Sequence, residues 1–217
     1  MSDLPLEHAH IAPDDHSDGP APAVVVLHGR GSNEQDLLPI ADSLPDDLHI
    51  VSLRAPDRLQ GGYTWYDLDL SAGGLHQSQP DAADFERSRQ LVVDSIDAAI
   101  DAYDLDAERI GLLGFSQGAI TSLSLLLDDP DRYRWVVALH GYLPDSHSDL
   151  APDDIADKPV FIAAGGADEI IPAARSEAAA DRFDTLGAAV EYSEYDGGHG
   201  VGPAEHEDLI AFVDQHA

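Results

Sequence analysis

The segment Arg109-Ile110-Gly111-Leu112-Leu113-Gly114-Phe115-Ser116-Gln117-Gly118-Ala119-Ile120 changes its periodicity halfway along. Up to Phe115 it is a short run that is apolar on both faces, as a strand covered from both sides requires. From Gln117 to Leu127 the spacing becomes helical. Gly114-Phe115-Ser116-Gln117-Gly118 joins the two. Its glycines permit a sharp strand-to-helix turn, which strains the Ser116 backbone and pushes the hydroxyl out at the C-terminal edge of a sheet. The helix N-terminus beneath it adds free N–H groups and partial positive charge. The same five letters occur in ordinary glycine-bounded turns, so the strand before and the helix after give the motif its meaning.

Working outward, Ala23–His28, His49–Leu53, Trp135–Leu139 and Pro159–Ala164 are further apolar runs that read as covered strands, and Ala188–Tyr195 alternates as an edge strand would. Helical spacing appears over Glu34–Ser43, Asp84–Tyr103, Ala173–Leu186 and Pro203–His216. Strand and helix alternate throughout, which predicts an α/β fold with a mostly parallel central sheet and helices on both faces. Residues 1–22 read as an N-terminal arm with a short edge strand near 7–11, and residues 23–217 as one domain. Two longer irregular stretches, 55–81 and 141–157, stand out as functional or mobile loops.

A serine hydroxyl is a weak nucleophile and needs a base, and the base needs an orienting partner. In this architecture an acid should follow a later strand and a histidine should come near the end of the chain. Asp168 lies just past Pro159–Ala164, in Gly165-Gly166-Ala167-Asp168-Glu169-Ile170-Ile171-Pro172; His199 lies in Asp196-Gly197-Gly198-His199-Gly200, between the last strand and the last helix. Asp196 is too close to His199 in sequence for the usual orienter, and Glu169 is the other rival. Among the 11 histidines, His206 and His216 read as solvated, and His140, at a strand end, as structural or lining the site. His8, His10 and His16 lack the defined frame a metal site needs. For a developing oxyanion, two N–H donors are expected. One is the Gln117 amide. The other is the Arg30 amide, in Leu27-His28-Gly29-Arg30-Gly31-Ser32, a loop without the Lys or the spacing of a phosphate-binding P-loop.

These blocks, together with Gly61-Gly62-Tyr63-Thr64-Trp65-Tyr66-Asp67, resemble the phospholipase/carboxylesterase family of α/β-hydrolases, which also contains acyl-protein thioesterases. The resemblance runs from about Ala23 to Ala217. It implies Ser116 as nucleophile, Asp168 and His199 as its partners, and Arg30 and Gln117 as oxyanion donors. It also implies a pocket walled by Trp65, Tyr66, Phe115 and Ile171, with no metal or cofactor; without the resemblance, Trp65 reads equally well as core packing. Arg30 replaces an aliphatic residue common in the thioesterases, which counts against long-acyl protein substrates. The chain has no insertion long enough for a helical lid, which favours small or soluble esters. Acyl thioesterase or lysophospholipase chemistry uses the same site. A dienelactone-hydrolase-like enzyme would call for a Cys nucleophile, and there is no Cys. A catalytically silent binding protein on this fold would not need the complete order of Ser, Asp and His.

The composition says more about surroundings than about chemistry. Of 42 acidic residues 32 are Asp; of 11 bases only Lys158 is Lys, and the formal net charge is -31. Such a chain repels nucleic acid and anionic membranes. Hydrophobic content is 43%, enough for a core. A sphere of about 20 Å radius with this charge has a self-energy of about 28 kcal/mol at 0.15 M salt and about 13 kcal/mol at 1 M. That points to a cytoplasm of very high salt, as in salt-accumulating halophiles. No apolar run is long enough to span a membrane and no signal peptide is visible, so a cytoplasmic protein is expected. The expected partner is a small-molecule ester, with homodimer formation left open.

Overall fold

A computed structural model describes residues 4–13 and 19–217. Its centre is a seven-stranded sheet. In chain order the elements are β1 (His8–Ile11), β2 (Ala21–Leu27), α1 (Leu38–Ala41), β3 (His49–Leu53), β4 (Asp57–Leu59), β5 (Gly62–Thr64), β6 (Leu68–Asp69), β7 (Gln79–Pro80), α2 (Ala82–Tyr103), β8 (Leu105–Phe115), α3 (Gln117–Asp128), β9 (Trp135–Leu139), β10 (Pro159–Gly165), α4 (Ala173–Thr185), β11 (Ala189–Tyr195) and α5 (Pro203–His216). The sheet runs β1-β3-β2-β8-β9-β10-β11. Only β1 is antiparallel, pairing His8 with Leu53 and Ile11 with Ile50.

The continuous apolar runs fill both faces. In β2, Val25 and Leu27 point into a core layer shared with Val92, Ile96, Ile120, Leu123 and Phe183, from α2, α3 and α4. Val24 and Val26 point the other way, towards Ala41, Leu209, Phe212 and Val213 from α1 and α5. Alternate residues of one strand therefore serve two hydrophobic layers, which is why β2 shows no polar alternation in sequence.

Two local outcomes differ from the sequence expectations. The helix expected over Glu34–Ser43 shrinks to α1, with Pro39, which lacks an N–H, tolerated in its first turn and not in a helix interior. The chain before it makes tight turns instead, with Asp36 N–H on Asn33 O and Leu38 N–H on Gln35 O. The stretch 55–81 is not irregular: β4 and β5 form one antiparallel hairpin, β6 and β7 another. The first turns through Gln60 and Gly61, both at positive φ as a two-residue hairpin loop favours. The edge strand expected near 7–11 is β1, and His8 Nε2 lies 2.6 Å from the Tyr103 hydroxyl of α2. His10 stacks on the same ring at 3.7 Å and its Nε2 lies 2.9 Å from His49 Nδ1. His16 lies outside the described residues.

Candidate active site

The C-terminal ends of β2, β8, β10 and β11 open on one crevice, where ligands bind in open α/β sheets. Ser116 stands between β8 and α3 with φ 54 and ψ -115, a conformation L-residues seldom adopt. Its N–H donates to Leu139 O at 2.9 Å and its carbonyl accepts the Ile120 N–H at 3.0 Å, so the neighbouring strand β9 and the helix α3 hold the strained residue. The turn demands glycine at Gly118, where a Cβ would sit 1.9 Å from Leu27 O.

His199 comes from the β11–α5 loop. Its Nε2 lies 2.9 Å from Ser116 Oγ and its Nδ1 2.6 Å from Asp168 Oδ2. Asp168 follows β10, and its Oδ1 accepts the Ile170 and Ile171 amides at 2.9 Å each. Burial pushes the Asp168 carboxyl up, but the His199 hydrogen bond and the Ile171 and Ile170 amides outweigh it and hold it below the usual carboxylate range. The line of Ser, His and acid is therefore assembled from three separate loops at hydrogen-bond distances. Among the described residues, Asp196 and Glu169 take no part in it.

The turn after β2 is braced by His28. Its Nε2 accepts the Ala55 N–H at 3.1 Å, so Nδ1 carries the proton and donates to Gly29 O at 2.7 Å. Burial lowers the His28 pKa, consistent with that neutral tautomer. A Cβ on Gly29 would lie 3.5 Å from Ser116 Cβ, so this turn lies directly against Ser116 and brings Arg30 to the cleft. Gln117 opens α3, and its side chain is buried and fully engaged. Its Oε1 accepts from Thr64 Oγ1 at 2.9 Å and from Trp65 N–H at 3.1 Å, while Nε2 donates to Tyr66 O at 2.9 Å. Thr64-Trp65-Tyr66 thus clamps the residue whose backbone amide flanks Ser116.

That clamp corrects the pocket reading. Trp65 and Tyr66 are wholly buried and do not wall the cleft. Trp65 Nε1 donates to His28 O at 2.7 Å, and Tyr66 packs edge-on against Phe85, so both serve as scaffold beneath the two loops. Phe115 lies beside the His199 ring, with centroids 5.0 Å apart. Ile171 does line the cleft, with Leu68, Leu75, Ile120, Tyr142 and Ile170. The cleft holds about 180 Å³, and no carboxylate lines it although the chain carries 42 acids. Among the described residues, the ligand atoms of His140, Asp168 and His199 are close enough together to hold a metal ion, but they are spent on hydrogen bonds to one another.

Glu205 escapes a sequence reading, whereas His140, expected to be structural or to line the site, lies against Asp168. Glu205 is 1% exposed and reaches His140 from α5. Nothing in the pattern of an amphipathic helix marks one buried Glu among acidic neighbours. The only signal at His140 is its place at a strand end.

The whole chain from residue 7 to 217 matches the model of the phospholipase/carboxylesterase family. A Bacillus subtilis protein named "Putative hydrolase MhqD" is 30% identical over 184 residues, covering 85% of this chain and 87% of that one. An acyl-protein thioesterase 1 homolog of Dictyostelium discoideum is 25% identical over 203 residues, 88% of each chain. The crystal structure of the Bacillus cereus carboxylesterase superposes with a TM-score of 0.84 at 28% identity, covering 97% of this chain and 94% of that one. With its parallel sheet, its strained serine and this match along nearly its full length, the chain belongs to the phospholipase/carboxylesterase family of α/β-hydrolases.

Proposed function

We propose that the protein is a serine esterase that cleaves small or soluble carboxylic esters through an acyl-enzyme. The observation that carries this reading is the placement of His199 Nε2 at 2.9 Å from Ser116 Oγ and of its Nδ1 at 2.6 Å from Asp168. Ser116 Oγ attacks the ester carbonyl while its proton passes to His199 Nε2. Asp168 keeps the other imidazole N–H oriented and stabilises the imidazolium. The carbonyl oxygen becomes an oxyanion that accepts from the Arg30 and Gln117 amides. The alcohol leaves with the proton from His199. Water then repeats the sequence on the acyl-Ser116 ester, with His199 again as base, and releases the acid.

The cleft argues for small substrates. Its volume of about 180 Å³ is below the range of about 300–1,000 Å³ usual for drug-sized ligands. Its apolar lining suits a short acyl group. A second reading, thioester cleavage, is favoured by the relative named as an acyl-protein thioesterase homolog. Turnover of p-nitrophenyl esters and acyl-thioesters of increasing chain length separates the two. Short esters are expected to be best. Ser116→Ala should abolish turnover and labelling by a fluorophosphonate probe, and retained activity in that variant would refute the assignment.

A further inference from the structure

Behind Ser116, His199 and Asp168 the hydrogen-bonded chain continues for two more residues. His140, just after β9, has Nδ1 3.2 Å from Asp168 Oδ2 and Nε2 3.2 Å from Glu205 Oε2, with Glu205 Oε1 at 3.1 Å. The side chains of His140, Asp168 and Glu205 are 1%, 0% and 1% exposed. The Glu205 carboxylate, in the first turn of α5, also accepts the Gly202 N–H at 3.3 Å. His140 takes φ 53, and its N–H is fixed on Ala163 O at 2.8 Å, which aims the ring between the two acids.

A neutral imidazole has one N–H and can donate to only one carboxylate. Two ring nitrogens that both face carboxylates are satisfied together by an imidazolium. Burial pushes His140 down, but the hydrogen bonds and charges of Glu205 and Asp168 outweigh it and raise its pKa. The other groups against this ring are His199, edge-on at 5.6 Å, and Phe115 at 5.5 Å. Further out, Tyr195 feels the Glu205 charge while donating its hydroxyl to Asp208.

We propose that His140, clamped as an imidazolium between Asp168 and Glu205, is a positioning residue that fixes Asp168 for His199, with Glu205 as its counter-ion. The proposal rests on the reading of Ser116, His199 and Asp168 as the reacting line. Asp168 accepts two backbone amides on Oδ1 and two imidazoles on Oδ2, so its carboxylate cannot rotate away. A cation beside Asp168 keeps the acid ionised, but alone it would oppose the positive charge that His199 gains during attack. Glu205 cancels that opposition. Together Asp168, His140 and Glu205 carry one negative charge, the same as Asp168 alone, but with the orientation of the acid locked.

The test combines protonation state with kinetics. In ¹⁵N-histidine NMR of the unaltered protein, both His140 ring nitrogens should be protonated from about pH 6 to 8, across the range where a free histidine loses its charge. One unprotonated His140 nitrogen throughout that range would overturn the proposal, and this arm needs no change at either residue. Glu205→Gln should release the His140 proton and lower kcat on p-nitrophenyl acetate about tenfold, a part of the ~10²–10⁴ that base catalysis supplies, with KM within about twofold. The acid limb of kcat/KM should shift with it, and Glu205→Asp, which keeps the charge, should recover most of kcat. A folded Glu205→Gln with unchanged kcat and acid limb would overturn the positioning role. Fluorophosphonate labelling keeps the two failures apart. A protein that takes no label loses the triad reading and this proposal with it, whereas a labelled protein that fails the NMR or kinetic arm loses the proposal alone.

Discussion

A Cβ on Gly118 would stand 1.9 Å from the carbonyl oxygen of Leu27, so the first turn of α3 is pressed directly onto the end of β2. This contact joins the helix that follows Ser116 to the strand that carries the Arg30 turn, and it sets the spacing between the Arg30 and Gln117 amides, the two proposed oxyanion donors. Neither partner is a flexible side chain that could swing aside. Gly118→Ala should therefore destabilise the fold by about 1–3 kcal/mol or more, the usual cost of overpacking. Denaturant unfolding measures it, and kcat should fall even in the folded fraction. A variant as stable and active as the parent would show that the turn relaxes freely.

Ser116 holds φ 54 and ψ -115, and strain of this kind costs on the order of 1–3 kcal/mol. Ser116→Ala keeps the strain and should leave stability nearly unchanged while activity disappears. Ser116→Gly removes the strain at the cost of about 0.5–1 kcal/mol of unfolded-state freedom, so a net gain of about 1 kcal/mol is expected. The pair of variants, compared by urea midpoint, separates stored backbone strain from loss of the hydroxyl. A Gly variant less stable than the Ala variant by about 0.5–1 kcal/mol would mean that Ser116 is not strained in solution.

The sheet, its helices and the three residues of the proposed reacting line were legible because each depends on local pattern. The apolar runs, the Gly-bounded turns and the order Ser116, Asp168, His199 are all carried by short stretches of chain. The hairpin at Leu59-Gln60-Gly61-Gly62 also had a local signal, two residues suited to positive φ, yet its strands are too short to show alternation. Trp65 and Tyr66 were misplaced for a different reason. An aromatic pair in a loop beside the cleft can face it or lie beneath it, and only the bonds of Gln117 to Trp65 N–H and Tyr66 O decide. The Glu205–His140 contact joins residues 65 positions apart, so no window of sequence contains it.

Two histidines, the half-buried His10 and the buried His147, should make the protein sensitive to mild acid. Burial, then the charges of His49 and His8, pull His10 down to about 4. Burial and then the Arg89 charge do the same to His147, with Glu86 opposing. Both lie below the unfolded value of about 6.5, so the unfolded state binds more protons in between. Their contribution is complete above pH 6.5 and is lost as pH falls towards 4. His140 has the opposite sign, because its pKa is raised, and its contribution is lost as pH rises. The double variant His10→Gln/His147→Gln should lose less stability than the parent between pH 6.5 and 4.5. Identical pH dependence would mean that both histidines are protonated without strain in the fold.

The net charge of -31 is spread over a surface with few partners for it. Arg54, Arg87, Arg89, Arg109, Arg132 and Lys158 each contact a carboxylate, which leaves most acids without a base. Asp42, Asp46 and Asp47 are exposed, lie within six residues and have no ion-pair partner among the described residues. Screening shortens the reach of their repulsion from about 8 Å at 0.15 M salt to about 3 Å at 1 M. The melting temperature should therefore rise from 0.15 to 3 M KCl, most steeply below about 1 M, where the Debye length changes fastest. Asp42→Asn/Asp46→Asn/Asp47→Asn should raise the melting temperature at 0.15 M and leave it unchanged at 3 M. That crossover distinguishes relief of charge repulsion from general exclusion of salt, which would stabilise parent and variant alike. A parent protein with full stability at 0.15 M and no response to KCl would remove the case for adaptation to high salt.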